Sequence, residues 1–367
     1  MSSAKRWLAN LTLALIGIVT ALLIIEGILR TLKPPFVVGI THFPCIYQED
    51  HELGYRYSPR ATGWMQRNFE IDSFVRINST GFHDIEHETT GNDQLRIVAI
   101  GDSFTAGLEV GALIGWTQVL QRELHERGYP PADVVNLGLD GTGTDVHLAL
   151  LKQYAPIIRP HLVILALHSS DIEDVLRGRL LRECYKGYVV AFQNEDQRKA
   201  LRILADILSS RSMSSWLFEN IYVFRAITFI HRGRDNPLRT NFLQPSHIGI
   251  EIADTAYSAT TINSIFQQLV DLSEQYDFDL VTIPVPEKDR LGSLEVLRSG
   301  ISQKLFEEVN VVDTSAIVER LLEEERRPYE EMFWLYDGHL NAYGHRIFGL
   351  AVARCVDHYL KAFLPHP

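Results

Sequence analysis

From Arg96 onward, the chain alternates between short apolar runs and longer amphipathic stretches. Short apolar runs bounded by turn residues predict buried strands, and apolar residues spaced three to four apart predict helices. Strands that alternate with helices predict right-handed βαβ units and a parallel sheet. The predicted strands are 96–100, 134–138, 161–167, 279–285 and 309–313. The predicted helices are 116–127, 144–158, 261–276, 315–325 and a closing helix through Leu360.

The amino-terminal residues Trp7–Ile25 are almost wholly apolar. Nineteen residues at about 1.5 Å each span roughly 28 Å, close to the hydrocarbon core of a bilayer. We interpret the run as an uncleaved single-pass anchor; a cleaved signal and a buried helix are the alternatives. Lys5 and Arg6 precede it and Arg30 and Lys33 follow it, so charge decides the orientation only weakly. The short leading flank favours an inside amino terminus, with the rest of the chain periplasmic or extracytoplasmic.

The pattern predicts three parts. Residues 1–33 form the membrane anchor, residues 34–94 form a lead-in of short strands and turns packed on the main domain, and residues 95–362 form that domain. Residues from about 177 to 247 interrupt the rhythm with helical patterns at 197–208 and 216–230, which predicts a helical insertion over the strand ends. An insertion of this kind is typical of a lid or of a cap that selects substrates.

Composition narrows the class of protein. The chain has 367 residues and a net charge of −11, without a lysine and arginine block. Because nucleic-acid binding needs a basic surface, a nucleic-acid partner is not expected.

Neither the cysteines nor the paired histidines predict a metal site. Cys45, Cys184 and Cys355 lie far apart in no metal-ligand spacing, and they permit one disulfide whose pairing the sequence leaves open. His83 and His87 are four residues apart and could face a metal on a helix, but their acidic neighbours favour a solvated charged loop. We therefore expect no metal and no organic cofactor.

The first predicted strand ends in Gly101-Asp102-Ser103. The carboxyl edge of an open α/β sheet is where such folds place their sites, so a serine there is a candidate nucleophile. The alternative is an ordinary strand-to-helix turn, with Asp102 or Ser103 capping the helix.

A second candidate stretch is Asp337-Gly-His339, which precedes the closing helix. An aspartate two residues from a histidine can bond the imidazole, fix its tautomer and stabilise its protonated form. The predicted topology brings this loop to the same sheet edge as Ser103. Together the two stretches supply the side chains of a Ser-His-Asp mechanism.

With these motifs the chain resembles the SGNH, or GDSL-like, hydrolases of the membrane-anchored bacterial branch, over about residues 51–360. Gly101-Asp102-Ser103 resembles the nucleophile motif of the family, and Asn136-Leu-Gly-Leu-Asp-Gly141 resembles its second motif. Asp337 and His339 resemble its closing pair. The resemblance implies a flavodoxin-like three-layer α/β/α fold with a parallel sheet of about five strands.

The resemblance also implies roles. Ser103 would be the nucleophile, His339 the general base and Asp337 its orienting partner. The backbone N–H groups of Ser103 and Gly141 would form the oxyanion hole, with help from Ser170. Ser170 marks a departure, because the family has Gly-x-Asn-Asp where this chain has His-Ser-Ser-Asp at 168–171. A serine donates from a shorter side chain than the family asparagine.

Three functions agree with this sequence. The first is a membrane-anchored serine esterase that forms an acyl-serine intermediate from an acyl ester, glycan-linked or lipid-linked. The second is an O-acyltransferase that modifies an envelope polysaccharide, since the spacing of Asp337 and His339 resembles that in alginate-type O-acetyltransferases. The third is a non-catalytic binding or scaffold protein. The presence of Ser103, Asp337 and His339 favours the two enzymatic interpretations.

Overall fold

The structure is a computed structural model of the whole chain. It describes residues 3–32, 45–67, 70–87, 94–177, 181–192, 195–209, 216–217, 220–224, 226, 255–288, 298, 301–335 and 337–361. Residues 1–39 and 194–247 belong to one compact unit, and residues 40–193 and 248–367 belong to another.

A parallel sheet lies at the centre of the larger unit. Its strands run in the spatial order β6–β5–β7–β10, and all three pairings are parallel. Val311 forms a parallel bridge to Thr282 on the outer side of β10, which places the predicted fifth strand at that edge as a single bridge. When the four parallel strands and the Val311 bridge are counted along the chain, their spatial order is 2-1-3-4-5. This is the order of flavodoxin-like folds, so the predicted fold class is confirmed. The sheet strands are β5 (Leu95–Ile100), β6 (Ala132–Asn136), β7 (Leu162–Leu167) and β10 (Asp279–Pro284).

Helices cover both faces of the sheet, because the side chains of its central strands alternate between two hydrophobic clusters. Val98 and Ile100 of β5 face the cluster that contains side chains of α4 and α7, whereas Ile97 and Ala99 face that of α3, α9 and α10. Strands buried on both faces read as continuous apolar runs, as Leu162–Leu167 does. These helices are α3 (Trp116–Glu126), α4 (Thr144–Ile158), α7 (Thr255–Tyr276), α9 (Ser315–Glu325) and α10 (Ala342–Leu360).

Short helices and hairpins complete the larger unit. Where the sequence predicts a helical insertion, residues 181–192 instead form an antiparallel hairpin, whose turn places Lys186 and Gly187 at positive φ. The N-cap of α4 is Gly143, and no side chain caps this helix. The remaining elements are β1 (Tyr47–Asp50), β2 (Gly54–Tyr57), β3 (Thr62–Arg67), β4 (Ile71–Arg76), α2 (Ser103–Ala106), α5 (Ser169–Arg177), β8 (Leu181–Tyr185), β9 (Tyr188–Phe192) and α8 (Gln303–Glu308).

A disulfide joins Cys45 to Cys184, with 5.7 Å between their Cα atoms. It connects the residues just before β1 to strand β8, which are 139 positions apart in the sequence. The pairing that the sequence leaves open is thus fixed by tertiary structure, and Cys355 is the free cysteine.

The smaller unit contains α1 (Ser3–Leu32) and α6 (Glu195–Ser209). Residues Asn10–Thr31 of α1 are long and apolar enough to cross a membrane. Near its end, the Glu26 carboxylate accepts hydrogen bonds from the backbone N–H groups of Tyr222, at 3.1 Å, and Val223, at 2.8 Å. The predicted helix at 216–230 lies largely outside the described residues.

The histidine pair of the lead-in is not on a solvated loop, so that prediction is wrong. His83 and Asp84 are buried, and the His83 Nδ1–H donates to the Ala106 carbonyl at 2.9 Å. The His87 ring bonds Asp133 at 2.6 Å and Asp84 at 2.7 Å. Burial opposes the charge of His87, but its hydrogen bonds to Asp133 and Asp84 outweigh that effect and raise its pKa to about 10. The two histidines therefore connect the lead-in to the main domain through hydrogen bonds.

Replacing His87 by alanine will destabilise the protein by about 3 kcal/mol at pH 7, because Asp84 and Asp133 lose their cation. A raised folded pKa gives stability that is complete below the unfolded value near 6.5 and is lost as the pH rises through about 10. The difference between wild type and variant should therefore shrink from pH 7 to pH 10. Urea unfolding at both pH values measures it, and a constant difference would contradict the ion pair.

Candidate active site

A sharp turn at the end of β5 presents Ser103 at the carboxyl edge of the sheet. Ser103 is the first residue of α2, and the Asp102 carboxylate caps that helix by accepting from the Phe104 N–H at 2.9 Å. Asp102 is thus occupied by the backbone, which leaves the Ser103 hydroxyl as the reactive group of the turn.

The loop of the second motif, residues 136–141, packs against this turn. A Cβ at Gly138 would lie 2.3 Å from the Ala106 nitrogen, so only glycine permits this approach of the two loops. The Asn136 side-chain amide donates to the Thr105 carbonyl at 2.8 Å, and its oxygen accepts from the Gly138 N–H at 2.8 Å. Asn136 therefore fixes α2 and its own loop together.

Ser103, His339 and Asp337 form one chain of hydrogen bonds, although Ser103 and His339 are 236 positions apart. The Ser103 Oγ lies 2.8 Å from the His339 Nε2. The His339 Nδ1 bonds the Asp337 Oδ1, which also accepts from the His339 backbone N–H at 3.4 Å. With Nδ1 protonated toward the carboxylate, Nε2 is the nitrogen able to accept a proton from the serine hydroxyl.

The loop that carries His339 is fixed on both sides. Asn341 caps α10 by accepting from the Tyr343 and Gly344 N–H groups, and its amide donates back to the Glu331 carbonyl at 2.8 Å. The Asp337 backbone N–H donates to the Glu70 carboxylate of the lead-in. The start of α10 on one side and the lead-in on the other thus fix the Asp337–His339 segment.

Phe104 separates two imidazoles at the site. Its ring stacks on His339, with 4.7 Å between the ring centroids, and on His168, with 4.4 Å. The stacking holds the His339 ring plane, so Phe104 supports the orientation that the Asp337 bond sets.

A second carboxylate approaches His339. Glu109 is 3% exposed, and its Oε1 lies 3.9 Å from the His339 Nε2. The donor atoms of Glu109, Asp337 and His339 lie within 4.8 Å of one another and could hold a metal ion, although Nε2 already bonds the Ser103 hydroxyl. The sequence interpretation missed Glu109; its signal is a single acid between the apolar residues Leu108 and Val110, shortly after α2.

Several carboxyl groups lie close to Ser103. Burial raises the pKa of Asp102, and the nearby Asp174 and Glu109 raise it further, while the Phe104 N–H and His339 oppose them. Burial and the charge of Asp102 raise the pKa of Asp171 as well. The raised pKa values hold Asp102 and Asp171 toward their protonated, neutral forms, so the carboxylate bonded to His339, that of Asp337, is the main stabilising group for an imidazolium formed there.

The two further residues of the predicted oxyanion hole follow strands β6 and β7, Gly141 on a loop and Ser170 at the start of a helix. Gly141 follows β6 and has φ +69°, a conformation that favours glycine. Ser170 lies in the first turn of α5, where its Oγ lies 2.8 Å from the His168 Nδ1, and its N–H donates to the same nitrogen at 3.2 Å. The structure thus gives Ser170 a bonding partner that the sequence does not predict.

No protein-family model matches the chain, and no curated protein matches it. Among solved structures, it is similar to a family 3 carbohydrate esterase from Clostridium thermocellum (12% identity, 74% of this chain and 100% of that one, TM-score 0.40). It is also similar to esterase EstA from Pseudoalteromonas sp. (12% identity, 73% of this chain and 99% of that one, TM-score 0.39). A third similar structure is a lipolytic G-D-S-L family protein from Veillonella parvula (14% identity, 71% of this chain and 96% of that one, TM-score 0.36). The fold assignment rests on the strand order rather than on these similarities. The neighbours are GDSL-type lipolytic proteins and carbohydrate esterases, the family that the sequence motifs resemble.

Proposed function

We propose that the chain is a membrane-anchored serine ester hydrolase. The observation that carries this proposal is the hydrogen-bonded series Ser103, His339 and Asp337 at the carboxyl edge of a flavodoxin-like sheet. Its substrate is an acyl ester, glycan-linked or lipid-linked. The reaction needs no metal or organic cofactor, because the three side chains supply a nucleophile, a base and an orienting carboxylate.

The proposed cycle has two halves. The Ser103 Oγ attacks the ester carbonyl carbon while the His339 Nε2 takes the hydroxyl proton, and the resulting imidazolium is stabilised by Asp337. The C–O bond to the alcohol then breaks, and His339 returns the proton to the leaving oxygen. In the second half a water molecule attacks the acyl carbon while His339 takes its proton. The C–O bond to Ser103 then breaks, His339 returns the proton to the Ser103 Oγ, and the acid leaves.

The backbone N–H groups of Ser103 and Gly141 are the proposed main donors to the oxyanion. Preorganised donors of this kind act on charge that develops only in the transition state. Ser170 supplies the third position. Its hydroxyl is shared with the His168 Nδ1, so we assign it the weakest contribution of the three.

Ser170→Ala will lower kcat by less than the about 10²-fold to 10³-fold typical of a lost oxyanion donor. The reason is that the hydroxyl is bonded to His168 before substrate arrives. Ser169→Ala is the matched control, since that neighbouring hydroxyl bonds Glu287 at 3.1 Å. Steady-state rates on p-nitrophenyl acetate measure the effect, and a loss near 10³-fold would make Ser170 a full donor instead.

We further propose that α1 is retained as an anchor. Support comes from its tertiary contacts, because the Arg30 guanidinium donates to the Asn220 carbonyl at 2.6 Å and Glu26 accepts from two N–H groups beside it. Cleavage of a signal would remove these bonds. The disulfide supports a periplasmic or extracytoplasmic location for the larger unit, since disulfides persist in oxidising compartments.

The full chain in detergent tests the proposal with p-nitrophenyl acetate and butyrate. We expect release of p-nitrophenol together with an acyl adduct on the protein by intact mass. If release occurs only when a sugar acceptor is added, the O-acyltransferase is the better assignment, which the short Asp337–His339 spacing favours. Neither release nor an adduct would overturn both enzymatic functions for these esters and leave a binding protein.

A further inference from the structure

A buried network surrounds Asp140, the residue before the proposed oxyanion glycine. The Asp140 carboxylate is bonded by the hydroxyls of Tyr47, at 3.0 Å, and Tyr57, at 2.7 Å, and by the Arg182 guanidinium. Asp140 is 4% exposed, so this negative charge is stabilised by the network rather than by water. Nothing in the proposed cycle uses these side chains directly.

Tyrosines also bond the backbone of this loop. The Tyr57 hydroxyl oxygen accepts from the Asp140 N–H at 3.1 Å, and the Tyr55 hydroxyl donates to the carbonyls of Asp140 and Gly141. Among the residues that the structure describes, none accepts a hydrogen bond from the Gly141 N–H. The other three polar backbone groups of Asp140 and Gly141 are therefore hydrogen-bonded by tyrosine hydroxyls, which hold the loop in place.

The bond from Tyr55 to the Asp140 carbonyl determines where the Gly141 N–H points. The Asp140 carbonyl and the Gly141 N–H belong to one planar trans peptide and point in opposite directions. A hydroxyl that fixes the carbonyl on one side thus fixes the N–H on the other. It also polarises the peptide, which strengthens the donor.

Arg182 holds the Tyr55 ring in place. Its guanidinium carbon lies 4.7 Å from the centroids of both the Tyr55 and the Tyr47 rings. Cys184, two residues along the same strand, is tied to Cys45 by the disulfide. The hairpin β8–β9 and the lead-in therefore meet around the Asp140–Gly141 loop.

We propose that Tyr55 is a positioning residue for acyl transfer: its hydroxyl orients the Asp140–Gly141 peptide so that the Gly141 N–H meets the oxyanion, and Arg182 holds its ring. This inference rests on the proposed function, since the oxyanion forms only if Ser103 attacks an ester. Burial raises the pKa of Tyr55, so its hydroxyl stays protonated and acts as a donor. The lead-in and the hairpin thereby contribute to the rate of the reaction without touching the substrate.

Tyr55→Phe tests this inference in the full chain, because it removes the hydroxyl and keeps the ring under Arg182. We expect kcat on p-nitrophenyl acetate to fall between about 10-fold and 10²-fold with KM unchanged, as for an interaction made only in the transition state. The Kd of phenylboronic acid, which forms a tetrahedral adduct on a serine, should rise by a similar factor. Tyr47→Phe is the matched control, since its hydroxyl bonds the Asp140 carboxylate and not the peptide, and it should leave kcat and the boronate Kd near wild type.

The outcomes separate this inference from the proposed function. Thermal unfolding of both phenylalanine variants shows whether they lose comparable stability, so that a difference in kcat reports on position. If Ser103→Ala abolishes turnover but Tyr55→Phe resembles wild type, or if both phenylalanine variants lose kcat equally, the positioning role is overturned alone. If Ser103→Ala retains turnover, or wild type neither turns over ester nor binds the boronate, the proposed function is overturned and the inference with it.

Discussion

Replacing Ser103 by alanine will lower kcat for ester hydrolysis by on the order of 10⁴-fold or more, because the proposed acyl intermediate forms on its hydroxyl. The Ser103 Oγ is hydrogen-bonded to the His339 Nε2. Residual rate above the uncatalysed reaction will come from binding and the oxyanion donors. Intact mass measured during turnover should show the acyl adduct in wild type and none in the variant.

The alanine variant should fold normally, which makes the result interpretable. Ser103 is the first residue of α2, but its side chain does not cap that helix, since Asp102 does so. Thermal unfolding that matches wild type, together with lost turnover, assigns the effect to chemistry. An acyl adduct that persists on another residue of the variant would show that Ser103 is not the nucleophile.

Asp337→Asn will lower kcat by about 10⁴-fold with little change in size or packing. An asparagine can present its amide to the His339 Nδ1, which then accepts and leaves the proton on Nε2. That tautomer cannot take the Ser103 proton. The pH-rate profile of the variant, measured from pH 6 to pH 10 with p-nitrophenyl butyrate, should stay low throughout neutral pH.

Glu109→Gln provides the matched comparison for Asp337→Asn. Both substitutions remove a carboxylate beside His339, but Glu109 lies 3.9 Å from Nε2, beyond hydrogen-bond distance. Glu109 therefore acts on His339 only as a nearby, partly screened charge. It does not determine which nitrogen of the imidazole carries the proton. We expect a loss at least 10²-fold smaller than that of Asp337→Asn, and equal losses would contradict the assigned roles.

Local pattern was enough to predict a parallel sheet covered by helices and part of the candidate site. The apolar runs around Ile97 and Leu165 predict buried parallel strands, whereas the flavodoxin-like arrangement of the sheet was implied by the family resemblance. Ser103, Asp337 and His339 were found because each lies in a short motif at an expected sheet edge. Their roles remain proposals, although the structure brings all three into one hydrogen-bonded series.

Contacts between distant segments account for what the sequence did not predict. Glu109 carries no motif, and only the tertiary fold brings it to His339. The disulfide depends on the position of β8, which reads as part of a helical insertion because its alternation is short. The sequence does not predict the burial of His83, because its acidic neighbours are typical of a surface loop. In the structure, Asp84 instead pairs with His87 inside the protein.

The disulfide bears on the order in which the site is assembled. It closes a covalent loop from residue 45 to residue 184, which contains the Ser103 turn and Gly141, while Asp337 and His339 lie well outside it. Synthesis runs from the amino terminus, so both cysteines emerge before the base does. The part of the site that contains Ser103 can thus be closed before Asp337 and His339 are synthesised. On the proposed mechanism, the nascent chain then stays inert toward surrounding esters until its carboxyl-terminal segment docks.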